Sequence, residues 1–476
     1  MDPNTDGEGL KIDKADIIVI GGGPGGYSAA IRGAQAGAAV VLVEKDTPGG
    51  TCLNRGCIPT KSLINSVSKI RSAQRGLASG IMEGALRPNL GRLMDEKNKT
   101  VDSLRQGLFT LLKKNRVSLI NAAAGVSKPG EVRLLMPAGK KEYLSTKNII
   151  LATGSSSVLP PIEGINLPGV MDSEKILNLK TLPEKLLIIG GGVIGLEFAG
   201  IFSGLGSRVA LVEMLPALAQ SMDTDISRRL LPFLKKAGVE VFLKTGLQSI
   251  KSVNDKLAAS LVRENKEVPA ISDIDVILAA AGRAPSTQGI DIEALGLEMH
   301  GLAIKTNEKM ETNIPGIYAV GDCTGGPMLA HAATAQGSAA AENALGGNKK
   351  VDLSVVPECI FTCPEMASVG LSEDRAKYLG RKVLVSRFPY AALGKAVAMG
   401  ETCGLIKLIA DRNTGVLLGG QILGYTAAEL IAEVALAVRN SLKAEDVAET
   451  IHAHPTLAEG IMEAAHGIGG KPLYMV

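Results

Sequence analysis

The feature that most constrains the fold is a unit of strand, glycine-rich turn, helix, strand and acidic residue that occurs twice. In the first copy, apolar residues 16–20 lead into the turn GGGPGG, an Ala-rich stretch over 27–37, a second apolar strand over 39–43 and then Glu44. Glycine-rich turns are common, so one copy would be weak evidence for a nucleotide site. Two copies in this context predict that one chain binds two dinucleotides, with phosphates resting on helix N-termini.

The second copy repeats the first in order and spacing. Residues 185–189 lead into GGGVIG, a helix through 204, a strand over 208–212 and Glu213, which follows Gly190 at the same distance as Glu44 follows Gly21. The glycines permit a tight turn, close approach of the phosphates and close helix packing, and the acid binds ribose hydroxyls. The predicted contacts are Gly21, Gly23, Pro24, Gly25, Gly26 and Glu44 in the first copy and Gly190, Gly192, Val193, Ile194, Gly195 and Glu213 in the second.

Glu213 also indicates which nicotinamide cofactor binds. A carboxylate at this strand end accepts a hydrogen bond from a free 2′-hydroxyl and repels a 2′-phosphate. The residues that follow, 214–216, include no Arg. The sequence therefore favours NAD over NADP.

Two cysteines lie just after the first unit, in the segment GGTCLNRGCIPTK over 49–61. In a regular helix, positions i and i+5 lie on different faces and too far apart for a disulfide. The backbone near Gly56 must therefore be distorted, and Pro59 favours the first turn of a helix just after Cys57. The alternative is two unrelated buried thiols. Beside a nucleotide fold, Cys52 and Cys57 predict a redox disulfide placed against a flavin.

Composition and charge exclude several other classes. The net charge of +3 is slight, and no run of Lys or Arg resembles a nucleic-acid surface. Six cysteines are too few for a disulfide scaffold in 476 residues. The apolar runs are shorter than the roughly 20 residues of a membrane helix, and the polar start of the chain shows no targeting segment. We expect a cytoplasmic protein that binds neither nucleic acid, membrane nor metal.

The rest of the chain predicts further strands and helices. A helical region over 62–114, interrupted around 80–88, follows the cysteines. Strands at 148–151, 275–278 and 317–320 each run into a glycine-containing turn, and the sequence from about 352 alternates strands with helices, at 383–388, 405–410, 416–422, 427–440 and 452–465. The predicted fold class is α/β, with two Rossmann-like FAD/NAD(P)-binding domains and a C-terminal α+β dimerisation domain.

These elements, in this order, resemble the pyridine nucleotide–disulfide oxidoreductases over about residues 12–470, and most closely the members that oxidise dihydrolipoamide. The resemblance implies an FAD domain over 12–153, an NAD domain over 154–283, a second FAD-binding or central part over 284–351 and a dimerisation domain over 352–476. It implies oxidation of protein-bound dihydrolipoamide with FAD and NAD⁺ by a homodimer whose active site is shared between subunits. Its partners would be lipoyl-bearing proteins of 2-oxoacid dehydrogenase or glycine cleavage complexes, and the sequence leaves open which one.

The resemblance also implies roles for individual residues. Cys52 would be the interchange thiol attacked by substrate, and Cys57 would face the flavin. Lys61 and Glu197 would pair beside the flavin N5, where a cation favours reduced flavin. His454 would be the base and Glu459 its partner, supplied by the opposite subunit, with His452 as a support.

Further contacts come from the same resemblance, and one of them departs from the family pattern. Ala124 stands where the family commonly has Gly. The implied FAD contacts also include Lys45, Gly50, Thr51, Lys61, Ala124, Thr153, Gly154, Asp322, Met328, Leu329, Ala330 and His331, and the implied NAD contacts also include Glu197, Leu247 and Gly282.

Related activities remain as alternatives. A glutathione reductase is disfavoured by Glu213, and mercuric or high-molecular-weight thioredoxin reductases normally end in paired cysteines, whereas this sequence ends KPLYMV. A non-catalytic assembly subunit predicts loss of a cysteine of the pair, His454 or Glu459, and all are present. Arg55 and Thr60 replace the commoner Val and Ser of the redox motif.

Overall fold

The computed structural model describes residues 14–137 and 139–474, which form two compact units interleaved along the chain. The first unit comprises residues 14–59, 96–157 and 283–353; the second comprises 60–95, 158–282 and the residues from 354 onwards. The finer division into four domains at 12–153, 154–283, 284–351 and 352–476 stays a prediction, and its first two residues and its last two lie outside the described residues.

The described residues form both helices and strands, with several runs of consecutive strands. The helices are α1 (Pro24–Gln35), α2 (Gly50–Arg55), α3 (Cys57–Ala78), α4 (Leu90–Lys114), α5 (Val193–Leu205), α6 (Thr224–Lys236), α7 (Ile292–Leu295), α8 (Ala330–Ala344), α9 (Glu373–Tyr378), α10 (Gly394–Met399), α11 (Ala427–Arg439), α12 (Ala444–Ala448) and α13 (Glu459–Ile468). The strands are β1 (Lys14–Ile20), β2 (Val40–Glu44), β3 (Ser118–Asn121), β4 (Ala123–Lys128), β5 (Glu131–Leu135), β6 (Lys141–Leu151), β7 (Ser155–Ser157), β8 (Val170–Met171), β9 (Lys185–Ile189), β10 (Arg208–Val212), β11 (Val239–Phe242), β12 (Thr245–Val253), β13 (Lys256–Arg263), β14 (Lys266–Ile274), β15 (Val276–Ala279), β16 (Arg283–Pro285), β17 (Met299–His300), β18 (Ala303–Ile304), β19 (Ile317–Ala319), β20 (Glu358–Ile360), β21 (Glu365–Gly370), β22 (Val383–Pro389), β23 (Leu405–Asp411) and β24 (Leu417–Gly424).

The first unit is built on a sheet whose central strands are parallel. The strand order is β3-β2-β1-β6-β5-β4, and β19 pairs with the far end of β6. Strands β1, β2 and the last residues of β6 are buried, because helices cover a parallel sheet on its faces. The predicted strand at 148–151 is therefore the end of a longer strand, whose first half pairs antiparallel with β5.

The second unit contains a second parallel sheet of order β11-β10-β9-β15-β8. An antiparallel sheet, β12-β13-β14, lies in the same unit and was not predicted. The C-terminal part forms an antiparallel sheet of order β20-β21-β24-β23-β22, covered by α11 and α13. The predicted fold class is thus confirmed: two parallel nucleotide-type sheets and a C-terminal α+β region.

The predicted helical region after the cysteines consists of α3 and α4, with the interruption at 79–89. Helix α3 begins at Cys57, close to the helix start predicted just after this residue. Within the described parts of the chain, no helix combines the length and apolar character needed to cross a membrane.

Candidate functional site

The first glycine-rich turn connects β1 to α1 and leaves the start of that helix accessible. Gly21 has φ +100°, and a Cβ there would lie 2.2 Å from the Ala152 carbonyl oxygen. A Cβ on Gly26 would lie 1.8 Å from the Gly21 carbonyl oxygen, so α1 packs closely on the turn. Gly23 differs, since the nearest atom to a Cβ there is 3.9 Å away. This glycine is the N-cap of α1 and provides no side-chain cap.

Glu44, at the end of β2, is fixed against this turn. Its Oε2 accepts a hydrogen bond from the Gly22 N–H at 2.6 Å, and its Oε1 accepts one from the Asp46 N–H at 2.9 Å. Each carboxylate oxygen has a second lone pair that can accept from a ribose hydroxyl. Lys45, the next predicted contact, donates to Gln288 Oε1 at 2.8 Å.

The second turn, between β9 and α5, has the same geometry. Gly190 has φ +109°, and a Cβ on Gly195 would lie 1.9 Å from the Gly190 carbonyl oxygen. A Cβ on Gly192, the N-cap of α5, would meet nothing within 4 Å. Glu213 accepts hydrogen bonds from the Gly191 and Leu215 N–H groups, each at 2.7 Å.

These two turns fit the diphosphates of two dinucleotides. The first turns of α1 and α5 have no acidic residue, and their N-cap glycines have no side chain to satisfy the free N–H groups. A helix N-terminus of this kind binds anions through its N–H groups and its dipole. Val193 and Ile194, also predicted contacts, are half-buried in the first turn of α5.

The redox segment consists of helix α2 and the start of helix α3, which are separated by a backbone break at Gly56. Cys52 lies in α2 and Cys57 is the first residue of α3, with Gly56 between them at φ −143° and ψ −110°. A Cβ on Gly56 would lie 2.9 Å from the Thr51 carbonyl oxygen, so a side chain would crowd the break. The predicted backbone distortion is confirmed. Both cysteines are half-buried.

Helix α2 is held directly against the first glycine turn. The Gly49 N–H donates to the Gly22 carbonyl at 2.7 Å, and a Cβ on Gly50 would lie 2.6 Å from Gly23 Cα. Asn54 fixes the entry to the helix, because its side-chain amide donates to the carbonyls of Thr47, Pro48 and Gly50. Thr51, another predicted contact, is half-buried between them.

Tyr27 is a neighbour of the cysteines that the sequence did not indicate. Burial raises the pKa of its phenol, and the charges of Cys52 and Cys57 raise it further. The ring therefore lies within electrostatic range of both thiols. The available signal was its position directly after Gly26, in the first turns of α1.

Lys61 and Glu197 form an ion pair in the second unit. The Lys61 Nζ lies 2.8 Å from Glu197 Oε1 and 2.9 Å from Oε2, and Glu197 is only 4% exposed. Phe361 completes the group: its N–H donates to Glu197 Oε1 at 3.2 Å, and its ring centroid lies 4.5 Å from Lys61 Nζ. Nothing local in the sequence indicated Phe361, because its partners lie far away in the chain.

His454 and Glu459 are brought together at the start of α13. The His454 Nδ1 lies 2.9 Å from Glu459 Oε1, and Glu459 Oε2 accepts from the Thr456 N–H at 2.7 Å. Burial opposes ionisation of Glu459, but the Thr456 N–H and His454 outweigh it and lower the pKa of the carboxyl. The His454 side chain is 77% exposed, and since Nδ1 is engaged, Nε2 is the nitrogen that can take up a proton.

His452 lies two residues earlier and has different surroundings. Its side chain is 6% exposed, with Nε2 2.8 Å from Glu433 Oε1 and Nδ1 2.7 Å from the Thr450 carbonyl oxygen. Both nitrogens are engaged within the fold, as a supporting role requires.

The remaining predicted FAD contacts lie at strand ends in the first unit. The Asp322 Oδ2 accepts from the Ser155 hydroxyl, which in turn accepts from Arg283 Nε at 2.8 Å. The Thr153 hydroxyl donates to the Ser286 carbonyl, and Gly154 has φ +73°. Ser155 and Arg283 were not predicted.

The other predicted contacts lie on several separate elements. Ala124 lies on β4, Met328, Leu329 and Ala330 are half-buried at the approach to α8, and His331 is exposed in its first turn. Among the NAD contacts, Leu247 lies on β12 and Gly282 has φ +118°.

Known proteins resemble the chain over nearly its full length. The model of the family described as pyridine nucleotide-disulphide oxidoreductase matches residues 15–337, and the dimerisation domain of that family matches residues 356–465. The dihydrolipoyl dehydrogenase of Chlamydia trachomatis is 39% identical, with 97% of this chain and 98% of the relative covered. That of Bacillus subtilis is 38% identical, with 97% of this chain and 98% of the relative covered. The leghemoglobin reductase of Glycine max is 37% identical, over 97% of this chain and 88% of the relative.

Solved structures agree with these sequence relatives. The Cu(II) complex of the HOCl-induced flavoprotein disulfide reductase RclA from Escherichia coli superposes with a TM-score of 0.86 at 29% identity, over 95% of this chain and 99% of the other. LpdA from Mycobacterium tuberculosis superposes with a TM-score of 0.88 at 25% identity, over 96% of this chain and 100% of the other. With both family regions matched in order and relatives above 30% identity along almost the whole sequence, the chain belongs to the pyridine nucleotide-disulphide oxidoreductases.

Proposed function

We propose that this protein is a dihydrolipoyl dehydrogenase, which oxidises protein-bound dihydrolipoamide to lipoamide and reduces NAD⁺. It is a flavoprotein disulfide oxidoreductase that uses FAD and NAD. The observation that carries the proposal is the attachment of α2 to the first glycine turn, through Gly49 and Gly50, because it holds the cysteine pair beside a nucleotide site. Relatives of this name at 38–39% identity support the same activity.

The cysteine pair takes the electrons from the substrate. One thiolate of dihydrolipoamide attacks Cys52 and breaks the Cys52–Cys57 bond, so that Cys57 leaves as a thiolate. The second substrate thiol then attacks the sulfur bound to Cys52, which closes the lipoamide ring and releases Cys52 as a thiolate. When bound, FAD takes the electron pair from the reduced cysteines and supplies it as hydride to NAD⁺.

His454 receives the substrate proton in this proposal. The Glu459 carboxylate at 2.9 Å from Nδ1 orients the ring, selects the tautomer with Nε2 open and stabilises the charged ring that forms. The high exposure of His454 in a single chain suits a base that serves the cysteine pair of the opposite subunit. The dimerisation region makes a homodimer the expected assembly.

Lys61 and Glu197 are assigned to the flavin ring. A cation at that position favours the electron-rich reduced form of the cofactor. Glu197 is buried, and its interaction with the Phe361 N–H keeps the Lys61 ammonium in one place. Loss of one partner from a buried pair costs on the order of 3–5 kcal/mol.

Glu213 is assigned to the adenosine ribose of NAD. Its carboxylate is anchored by the Gly191 and Leu215 N–H groups, and its negative charge opposes a 2′-phosphate. The same anchoring at Glu44 supports a role at the FAD ribose.

The expected partners follow from the proposed reaction, whereas the expected compartment comes from the sequence. Lipoyl-bearing proteins of a 2-oxoacid dehydrogenase or glycine cleavage complex would deliver the substrate. We expect the cytoplasm as the compartment, where thiols are kept reduced.

One assay separates the candidate activities. Purified protein should be yellow and should form NADH from dihydrolipoamide and NAD⁺. The control is consumption of NADPH with glutathione disulfide, which should be negligible. A preparation that turns over glutathione disulfide, or that holds no flavin and ignores dihydrolipoamide, would contradict the proposal and favour a glutathione-type or assembly role.

A further inference from the structure

Arg55 lies between the two redox cysteines and is the last residue of α2. Cys52 precedes it by three positions in the same helix. Residues i and i+3 of a helix share a face, with Cβ atoms about 5–6 Å apart. Long side chains of a helix also lean back over the preceding turn. The Arg55 side chain therefore covers the turn that carries Cys52.

The Asp46 carboxylate pairs with this guanidinium. The Arg55 Nη1 lies 2.8 Å from Asp46 Oδ2, and the two side chains are 36% and 48% exposed. The backbone of Asp46 is itself fixed, because its N–H donates to Glu44 Oε1 at 2.9 Å. Asn54 ties the same loop to α2. Asp46 thus holds the guanidinium of a residue that lies one helical turn from Cys52, and the negative charge of Asp46 partly offsets the positive charge.

The other groups around this turn come from neighbouring elements. Helix α1 contributes Tyr27, a neutral phenol with a raised pKa. Helix α3 contributes Cys57. Helix α4 contributes Arg105, whose Nε donates to Asn54 Oδ1 at 3.1 Å and whose charge is matched by Asp102 at 3.0 Å.

We propose that Arg55 is a positioning residue for dithiol–disulfide exchange: its charge stabilises the Cys52 thiolate, and Asp46 limits that stabilisation. The inference rests on the proposed function in one respect, the assignment of Cys52 as the interchange thiol. The effect falls on the step in which the bond between the substrate sulfur and Cys52 breaks. Cys52 takes the electron pair, the substrate disulfide forms, and His454 takes the proton. A thiol of lower pKa leaves faster in this step.

The test is the pH dependence of Cys52 alkylation in the reduced holoenzyme. The protein is reduced anaerobically with dihydrolipoamide and treated with iodoacetamide between pH 5 and pH 10, and peptide mass spectrometry quantifies the label on Cys52. Loss of a neighbouring cation should move the midpoint upward by about half a unit to one unit in Arg55→Met. Arg55→Lys should move it by less, and Asp46→Asn should move it downward.

Arg55→Met and Asp46→Asn break the same ion pair, so a purely structural role of this pair would shift the alkylation midpoint of Cys52 in the same direction in both variants. An effect of charge shifts it in opposite directions. If both variants move the midpoint in the same direction, or neither moves it, the inference is wrong. Arg208→Met, which removes an exposed arginine paired with Glu184, is the matched control and should leave the midpoint unchanged.

Two further readouts keep the outcome clear. The flavin spectrum and melting temperature report folding, and Asp46→Asn alone still tests the sign if Arg55→Met does not fold. Wild-type protein that forms no NADH from dihydrolipoamide would contradict the proposed function. Wild-type turnover with an unmoved midpoint would contradict only the role of Arg55.

Discussion

At the scale of single residues, chemistry depends on side chains that the fold holds in one orientation. Glu459 is bound on one oxygen by the Thr456 N–H and on the other by His454. Its lowered pKa keeps it ionised throughout the neutral range. The carboxylate therefore stays a hydrogen-bond acceptor for the His454 ring.

Replacement of Glu459 by Gln should lower turnover without unfolding the protein. The amide cannot stabilise the charged imidazole, so we expect kcat with dihydrolipoamide to fall by about 10²–10⁴-fold, the usual contribution of a general base. Stopped-flow and steady-state NADH formation measure this. Glu298→Gln, which changes an exposed ion pair with Lys305, is the control and should retain full turnover. A Glu459→Gln protein with normal kcat would contradict the proposal that His454 and Glu459 act together as an acid–base pair.

The sequence indicated functional residues that lie close together along the chain. It did not indicate several residues whose partners are distant in the sequence. His454 and Glu459 are close in sequence, and both cysteines share one segment. Phe361 and Arg283 reach their partners only through the folded chain, so no spacing could indicate them. Tyr27 was missed although it directly follows Gly26. Lys45 was predicted to contact FAD, yet it also donates to Gln288, 243 residues further along.

At the scale of elements, two strand–turn–helix units reproduce the same geometry with different side chains. In each unit the first and last glycines are required by close backbone contact, while the second, Gly23 or Gly192, faces open space. The glycines of one turn are thus kept for different reasons. Gly195 is needed for packing of α5, whereas we propose that Gly192 allows a diphosphate to approach.

This distinction predicts different outcomes for two similar substitutions. Gly192→Ala should keep the melting temperature within experimental error but weaken NAD⁺ binding at least about tenfold, which corresponds to about 1.4 kcal/mol. Gly195→Ala, whose Cβ would lie 1.9 Å from a carbonyl oxygen, should destabilise the fold itself. Calorimetry and NAD⁺ titration measure both. Unchanged NAD⁺ affinity in Gly192→Ala would show that the diphosphate does not bind at this turn.

Elements with a clear sequence pattern were predicted, and elements without one were missed. Strands β9 and β10 were predicted with the observed bounds, because buried parallel strands are continuous apolar runs between clear turn signals. The sheet β12-β13-β14 was missed. Its strands carry many exposed polar residues, and irregular register interrupts their alternation.

At the scale of the whole molecule, the second unit contains a buried charge cluster around Lys407 on β23. The Lys407 Nζ lies 2.7 Å from Asp223, 2.9 Å from Asp225 and 2.8 Å from Glu373. Arg387 also pairs with Asp225 and Glu373. Helices α6 and α9 are therefore tied to the C-terminal sheet through Arg387 and through Lys407, which is 1% exposed.

Lys407→Met should destabilise the protein by about 3–5 kcal/mol, because it leaves three carboxylates without their shared cation. Urea unfolding of the holoenzyme measures this free energy. Lys305→Met, which removes an exposed lysine paired with Glu298, is the control and should cost less than about 1 kcal/mol. An equal effect in the two variants would contradict the assigned importance of the cluster.

The cluster also sets a pH dependence. Burial opposes ionisation of Glu373, but Lys407, Lys377 and Arg387 together lower its pKa from an ordinary 4.5 to about 2. The carboxylate therefore contributes stability above pH 4.5, and this contribution is lost as the pH falls toward 2. In Lys407→Met the same interval should show a weaker loss.

The dimer provides a test of the shared active site. A mixture of Cys52→Ser and His454→Gln chains should form heterodimers in which one site carries both changes and the other carries neither. Random pairing should restore about a quarter of wild-type turnover, because half of the dimers then have one intact site. Each variant alone should be inactive. No recovery from a mixture shown by mass spectrometry to contain heterodimers would mean that each chain supplies its own base.

The most direct test of the account is electron flow in proteins that lack one sulfur of the redox pair. Cys52→Ser and Cys57→Ser variants that retain FAD should lose NADH formation from dihydrolipoamide by at least about 10³-fold. They should still pass electrons from NADH to an artificial acceptor such as a quinone, because that route does not need the cysteines. Undiminished oxidation of dihydrolipoamide by either variant would contradict the claim that this pair relays the electrons.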